Sequence, residues 1–205
     1  MVDVEWGMKQ LDLVYHSEDH LKMSLAAELA KMYGDKRVRL EWRPEPGTHV
    51  DIGVRREGVT IPIELKYKTN SAIVEDEVFG ETVELTRQGA HDRAHYRLFQ
   101  DVRRIERIVE EQGRYGYIVL LTNDSNYWTK PTGSALYDDF RVHEGEVRQG
   151  TLQWPDIRDW MVNNGVDEPI ELEGEYTMEW TDFTYRDNIQ VSGSPRFRYL
   201  ALRVD

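Results

Sequence analysis

The sequence of 205 residues contains no cysteine, which excludes disulfide scaffolds and cysteine-based zinc sites. It also has no apolar run of membrane-spanning length and no hydrophobic signal segment at its start. Linkers rich in proline, glycine and serine, internal repeats and low-complexity tracts are absent as well. We therefore expect one intracellular, cytoplasmic domain over residues 1–205 that does not associate with a membrane.

The charge balance is acidic, with a formal net charge of −12 and few lysines beside many arginines. This composition is typical of a halophile or of a GC-rich genome. It is unusual for a protein that binds nucleic acid, because phosphate binding normally uses a basic surface. However, net charge governs solubility and long-range steering, whereas the field inside a groove depends on local groups and on metal ions.

Two adjacent segments predict a β-hairpin that gathers charged side chains on one face. Apolar residues of the second segment follow the period of 2 that is typical of a strand, at Ile61, Ile63 and Leu65. Glu64 and Lys66 alternate with Ile63 and Leu65 in the sequence and therefore point to one face together. Gly58 marks a turn between this strand and the run at residues 49–53, so Asp51 joins that face if the two strands pair.

The pattern of Asp51 followed by Glu64-Leu65-Lys66 resembles the motif of the PD-(D/E)XK nuclease superfamily, which includes restriction enzymes, Holliday-junction resolvases and repair nucleases. Asp51 matches the family's aspartate, and residues 64–66 match its E-x-K tripeptide. Val50 stands where the family's pattern has proline. The match rests on the combination of hairpin, upstream aspartate, preceding helix and following helix–strand unit.

The resemblance implies an α/β fold with a mixed central β-sheet flanked by helices, in a restriction-endonuclease-like core. That core would occupy about residues 15–130, and a C-terminal extension about residues 131–205. The implied activity is phosphodiester hydrolysis by a Mg²⁺- or Mn²⁺-dependent endonuclease, with DNA rather than RNA as substrate. Many such proteins are homodimers, because cleavage of both DNA strands uses two active sites. A homodimer is therefore one assembly that the resemblance allows.

The chemistry of this reaction gives each residue of the motif a role. Mg²⁺ prefers carboxylate and water oxygens and needs few protein ligands, so Asp51 and Glu64 are a sufficient pair. Lys66 would lie near the attacked phosphate, where it orients the water or stabilises negative charge. The resemblance adds the backbone carbonyl of Leu65 and the carboxylate of Glu18 as further metal ligands.

Glu18 lies in the first predicted helix, which spans residues 17–33 with Ser17 as its N-cap and Gly34 as its stop. The apolar stripe of this helix contains Leu21, Leu25, Leu29 and Met32. On a helical wheel Glu18 falls in the middle of that stripe, where an acid needs a partner. The alternative is that Glu18 only complements the helix dipole in the first turn.

The longest predicted helix spans residues 86–112, and Gly113 is its natural stop. Its predicted buried face contains Ala90, Ala94, Leu98, Val102, Ile105 and Val109. Basic residues on a neighbouring stripe and after the E-x-K motif could track phosphates, namely Lys68, Arg93, Arg97 and Arg104. The alternative is a solvated face, with pairing to Glu106, Glu110 and Glu111. Asp101 is then a structural ion-pair partner of Arg97 and Arg104.

The rest of the chain predicts further parts of the sheet. The near-continuous apolar run at residues 115–122 is typical of a central buried strand, and a helix before it implies a parallel partner. Residues 69–84 have no clear period, so we expect a loop or flap. Other predicted elements are a short helix near residues 155–163 and strands near 37–43, 176–185 and 197–204.

Several other interpretations stay open. The three residues of the motif could form an ion-pair ladder on a solvated sheet, without chemistry. A non-catalytic member of the same fold could bind nucleic acid or a protein, which the acidic charge favours, or the chain could mimic the charge of DNA. His16 with His20 and His91 with His95 have the spacing of zinc ligands on a helix, but neither pair has the glutamate of H-E-x-x-H.

Overall fold

The computed structural model describes residues 1–112 and 114–205, so the predicted helix stop at Gly113 lies outside the described residues. The helices are α1 (Val4–Gln10), α2 (Glu18–Tyr33), α3 (His91–Gln112) and α4 (Asp159–Asn164). The strands are β1 (Val38–Trp42), β2 (Val50–Arg56), β3 (Val59–Lys68), β4 (Ala72–Asp76), β5 (Glu81–Leu85), β6 (Gly116–Thr122), β7 (Val147–Leu152), β8 (Ile170–Thr177), β9 (Trp180–Phe183), β10 (Ile189–Gly193) and β11 (Phe197–Val204).

A six-stranded mixed sheet in the order β1-β2-β3-β6-β11-β9 forms the centre of the fold. Strands β3 and β6 run parallel, and the other neighbours in this sheet are antiparallel. All seven residues of β6 are buried, because the strand lies between β3 and β11 with both faces covered. The sequence-based prediction of a mixed α/β fold is therefore confirmed, as is the parallel partner for β6.

The predicted hairpin is formed by β2 and β3. Its two-residue turn consists of Glu57 and Gly58, whose φ angles are +52° and +88°. Positive φ at both central residues is typical of the turn that matches the twist of paired strands. The pairing runs from Arg56 opposite Val59 to Ile52 opposite Ile63, which places Asp51 one residue beyond the last pair.

Apolar cores cover both faces of the central sheet. On one face, Leu21 and Leu29 of α2 pack with Ile63 and other residues of β3. On the other face, α3 packs against β6 and β8. Complete burial of one such aliphatic side chain contributes roughly 1.5–3 kcal/mol. Met32, predicted on the buried stripe of α2, is exposed, so that part of the prediction is wrong.

Helix α3 begins at His91, not near residue 86. Ala90 has a φ of +60° and is exposed, so it stands outside the helix and the prediction that it joins the buried face is wrong. Leu98 and Val102 are buried as predicted. The helix approaches β6 closely at Gly116, where an added Cβ would lie 2.5 Å from Cγ2 of Ile105.

Residues 69–84 are not a loop, since β4 and β5 form a hairpin there. β4 also pairs with β10, which makes a three-stranded sheet. Ala72 and Val74 are buried while Ile73 is exposed, so the strand has only a short alternation. The prediction was wrong because the strand that completes this sheet comes from a distant part of the chain.

The C-terminal third extends the central sheet and covers α3. Strands β11 and β9 continue the sheet beyond β6, while β8 packs on α3 and pairs with β7. The strand predicted near residues 176–185 is divided between β8 and β9, and the helix predicted near residue 155 begins at Asp159. Within the described part of the chain, no helix has the length and apolar character needed to cross a membrane.

Candidate active site

Two carboxylates bind the edge of β3 where β2 stops pairing with it. Oδ2 of Asp51 accepts a hydrogen bond from the backbone N–H of Leu65 at 2.8 Å. Oε2 of Glu18, from α2, accepts one from the N–H of Tyr67 at 2.7 Å. Backbone donors of a strand that has lost its neighbour need other acceptors, and ionised acceptors make the stronger bonds. The separation of β2 from β3 therefore brings Asp51 and Glu18 to one strand edge.

Glu64 and Lys66 point from β3 toward α3, where they meet two charged residues of that helix. Nζ of Lys66 lies 3.1 Å from Oε1 of Glu64 and 2.9 Å from Oδ2 of Asp101. Nη2 of Arg104 lies 2.7 Å from Oε1 of Glu64 and 2.9 Å from Oδ1 of Asp101. Among the described residues these Arg104 contacts are not aligned as hydrogen bonds, so they are charge contacts. We call these four residues the site cluster.

Burial, with a contribution from neighbouring negative charge, raises the pKa of the two acids next to the site cluster. Burial raises the pKa of Asp51, the charge of Glu64 raises it further, and the Leu65 N–H and Lys66 oppose the shift. Burial also raises the pKa of Glu18, against the hydrogen bond from Tyr67. A divalent cation would relieve both shifts, and such perturbed acids are typical of functional sites.

The donor set beside the cluster fits a hard divalent cation only in part. Asp51 and Glu64 supply the carboxylate oxygens that Mg²⁺ prefers, and Mg²⁺ usually keeps several waters as ligands. Across residues 1–112 and 114–205, no group of three or more Asp, Glu or His side chains is arranged to hold a metal ion. Water would therefore supply much of the coordination shell.

The two lysines that follow Glu64 differ in their electrostatics. Burial disfavours the ammonium of Lys66, but the charges of Asp101 and Glu64 prevail and raise the pKa of Lys66 above its usual range. Lys66 is thus a cation and a hydrogen-bond donor, and not a general base at neutral pH. Burial lowers the pKa of Lys68, and the positive charges of Lys66 and Arg93 add to this effect.

Lys22 also belongs to this site, although the sequence-based prediction did not include it. Its Nζ lies 3.4 Å from Oδ1 of Asp51 and 2.5 Å from Oε1 of Glu41. Lys22 follows Glu18 by four residues on α2, so both side chains lie on one face of the helix. That spacing was the signal available in the sequence.

The arginines predicted to contact nucleic acid have different surroundings. Arg104 is part of the site cluster, where it pairs with Asp101 as predicted. Arg93 and Arg97 are exposed and both bind Asn164: Nη1 of Arg93 donates to its Oδ1 and Nη2 of Arg97 to its carbonyl oxygen, each at 3.0 Å. Arg97 therefore has Asn164, and not Asp101, as its partner.

Glu106 is buried and does not lie on a solvated face, so that part of the prediction is wrong. Its Oε1 accepts hydrogen bonds from the backbone N–H groups of Glu173 and Gly174, at 2.9 and 3.0 Å. The hydroxyl of Tyr176 donates a third bond to the same oxygen at 2.7 Å. Glu106 thus joins α3 to β8 and has a structural role.

The two helical histidines of α3 do not converge on a zinc site. Nε2 of His91 lies 2.7 Å from Oδ2 of the buried Asp124. Nδ1 of His95 lies 3.0 Å from the carbonyl oxygen of Phe140. Each ring therefore has its own separate partner.

Comparison with known proteins identified no relative of this chain. No protein family matches the chain, and no curated protein or solved structure is significantly similar to it. The function of the site must therefore be inferred from its own residues and their contacts.

Proposed function

We propose that the chain is a Mg²⁺- or Mn²⁺-dependent nuclease that hydrolyses phosphodiester bonds in DNA, on a restriction-endonuclease-like core. The observation that carries this proposal is the convergence of Asp51, Glu64 and Lys66 where β2 and β3 separate. The order α2-β1-β2-β3, followed after the β4–β5 hairpin by α3 and β6, with β3 parallel to β6, supports it because the resemblance implies such a core.

In this proposal, the carboxylates of the site bind the metal ion and Lys66 binds the phosphate. A bound metal ion would lower the pKa of its water and orient the attacking and leaving oxygens. Asp51 and Glu64 would hold the ion together with water, and the resemblance adds the carbonyl of Leu65 and, once it turns from the Tyr67 N–H, the carboxylate of Glu18 as further ligands. Lys66, charged and held by Asp101, would donate a hydrogen bond to the attacked phosphate and stabilise its negative charge.

Local positive charge supports phosphate binding by this acidic chain. Burial lowers the pKa of Lys68, and repulsion from the nearby Lys66 and Arg93 lowers it further, against the opposing charge of Glu18. A phosphate group among these cations would relieve that repulsion, just as a metal ion would relieve the repulsion between the carboxylates. The site would thus attract a polyanion locally despite the net charge of the chain.

Plasmid cleavage tests the proposal. Purified protein is incubated with plasmid, linear and branched DNA in Mg²⁺ or Mn²⁺, at low and high salt, beside Asp51→Ala, Lys66→Ala and the surface control Lys9→Ala. We expect cleavage by the wild type and the control, and a loss of roughly 10²-fold or more in both site variants. Absence of cleavage under all conditions, or equal cleavage by the site variants, contradicts the proposal. Light scattering of the same samples tests for a homodimer.

A second candidate is a non-catalytic member of the same fold that binds nucleic acid or a protein. The contacts of Glu64 with Lys66 and Arg104 favour it, because they balance the charge of the site without a metal ion. Fluorescence anisotropy with labelled DNA in EDTA separates the two candidates. Binding that Asp51→Ala leaves unchanged, without cleavage in Mg²⁺ or Mn²⁺, would support the binding protein.

A further inference from the structure

An open groove of about 540 Å³ on β1 and β2 is lined mainly by basic side chains. Four arginines and one lysine line it, namely Lys36, Arg37, Arg39, Arg43 and Arg55. All five side chains are exposed to solvent. Among the described residues, Glu41 is the one acid in the lining. The groove therefore concentrates positive charge on a chain whose formal net charge is −12.

The positive charge of this groove is not neutralised by the protein. Within residues 1–112 and 114–205, none of its five basic side chains contacts a carboxylate or makes a side-chain hydrogen bond. Glu41 contacts Lys22 at 2.5 Å and lies 4.0 Å from His49, so its charge is already balanced elsewhere. By contrast Arg56, the neighbour of Arg55, lies 3.5 Å from Glu57. A bound polyanion would relieve the mutual repulsion of the five cations.

A glycine and a tryptophan give the groove a closely packed floor. Gly53 pairs with Arg39 across β1 and β2. A Cβ at Gly53 would lie 2.8 Å from Cγ of Trp42 and 2.9 Å from Cγ2 of Thr60. The glycine therefore lets the ring of Trp42 lie directly on β2. Arg39 from β1 and Arg55 from β2 then stand on opposite sides of this floor.

The groove leads along β2 to the candidate active site. Arg55, Gly53 and Asp51 are alternate residues of β2, so they lie on one face of the sheet. Four residues of a strand span about 13 Å, which is the length of roughly four nucleotides of one DNA strand. Glu41 of the groove also contacts Lys22, which in turn contacts Asp51. A strand bound in the groove would therefore reach the site within a few nucleotides.

We propose that this basic groove binds the sugar–phosphate backbone of DNA and directs the bound strand to Asp51 and the site cluster. Guanidinium groups suit this role because their planar fork of N–H donors matches two phosphate oxygens. The inference rests on the proposed function for the identity of the polyanion. It explains how a chain with a net charge of −12 would hold DNA, since the binding surface is one local groove without acid partners.

Fluorescence anisotropy with a labelled DNA duplex of about 20 base pairs, in EDTA and between about 50 and 200 mM salt, tests the inference. The groove variant combines Arg39→Gln with Arg55→Gln. The matched control combines Arg107→Gln with Lys130→Gln, which removes two exposed charges that also have no carboxylate partner among the described residues but lie outside the groove. A single variant, Arg43→Gln, changes a groove residue just beyond the end of β1.

The salt dependence of binding gives the expected result. Each lost phosphate contact lowers the slope of log affinity against log salt by about one, so the groove variant should lose about two and Arg43→Gln about one. We expect the groove variant to bind roughly 10- to 100-fold more weakly than the wild type, and the control to keep the wild-type slope. Melting temperatures of all variants should match the wild type, because the changed side chains are exposed.

Three outcomes would overturn the inference. They are no binding of DNA by the wild type at the lowest salt, the same loss of affinity in the groove variant and its control, and displacement of DNA by an equal charge of polyglutamate, which would indicate an acidic protein partner. The plasmid assay separates this inference from the proposed function. Cleavage with no effect of the groove variant on binding would overturn the groove alone, whereas binding that depends on the groove without any cleavage would overturn only the nuclease.

Discussion

The carboxylate of Asp51 accepts a hydrogen bond from the backbone N–H of Leu65, in the place of the strand partner that β2 no longer provides. This bond connects a candidate metal ligand directly to the tripeptide that contains Glu64 and Lys66. It also gives Asp51 a structural role that is separable from its charge, because a carboxamide oxygen can accept the same bond.

Substitutions of Asp51 should separate these two roles. We expect Asp51→Asn to keep the free energy of unfolding within about 0.5 kcal/mol of the wild type, since the Leu65 N–H stays paired. Asp51→Ala leaves that donor unpaired and should cost about 1–3 kcal/mol. Both variants should lose DNA cleavage. Urea denaturation and the plasmid assay check this, and equal stability of the two variants contradicts the role of the bond.

Removing the positive charge of Arg104 from the site cluster should increase the stabilisation of the protein by Mg²⁺. Arg104→Met leaves Glu64 and Asp101 with only Lys66 as counter-charge, so we expect the free energy of unfolding in EDTA to fall by about 1–3 kcal/mol. Mg²⁺ should then raise the melting temperature more than in the wild type, because Glu64 is free to bind it. Thermal unfolding with increasing Mg²⁺ measures this. Arg107→Met, exposed on the same helix, is the control and should respond like the wild type.

The buried Glu106 should be important for stability and not for catalysis. Glu106→Ala removes the acceptor of three hydrogen bonds from β8, so we expect a loss of about 3–5 kcal/mol in the free energy of unfolding. Glu110→Ala, an exposed change one turn later, should cost less than about 0.5 kcal/mol. Urea denaturation compares the two variants. Similar midpoints would show that Glu106 does not join α3 to β8.

His95 should make the protein less stable in acid. Its pKa is about 3 in the folded protein, from burial, against 6.5 in the unfolded chain. Between these values the unfolded chain binds a proton that the folded protein does not. The free energy of unfolding should therefore fall by about 1.4 kcal/mol per pH unit as the pH drops from 6.5, with no contribution above that pH.

His95→Asn isolates this effect, because the carboxamide can still donate to the carbonyl of Phe140 while the titrating ring is gone. Urea midpoints from pH 8 to pH 4 should show a shallower acid slope for His95→Asn than for the wild type. His16→Asn, at an exposed position, should keep the wild-type slope. If the urea midpoints of all three proteins fall equally with decreasing pH, His95 is not the group that destabilises the protein in acid.

Close packing of α3 on β6 should make Gly116 intolerant of a side chain. A Cβ there would lie 2.5 Å from Cγ2 of Ile105 and 2.8 Å from Cγ of Pro62. We expect Gly116→Ala to destabilise the fold by about 1–3 kcal/mol, and Ile105→Leu in the same chain, which removes the Cγ2 branch at similar volume, to restore part of the loss. Gly133→Ala, where nothing lies near the new Cβ, is the control. Thermal unfolding of the four proteins measures the effect.

The sequence by itself determined the elements whose causes are local. Helix α2 follows its N-cap, because the hydroxyl of Ser17 accepts from the N–H of His20 within the same turn. The hairpin follows its turn residues Glu57 and Gly58, and the alternation of β3 places Glu64 and Lys66 on one face. Each of these outcomes depends on residues only a few positions apart.

Only the tertiary structure decided which distant segments complete these elements. It paired β4 with β10, buried Glu106 against β8, and brought Lys22 of α2 to Asp51 of β2. The physical reason is that a hydrogen bond or an ion pair depends on distance in space, while local patterns report only distance along the chain. The catalytic candidates were therefore visible in the sequence, whereas the residues that surround and balance them were not.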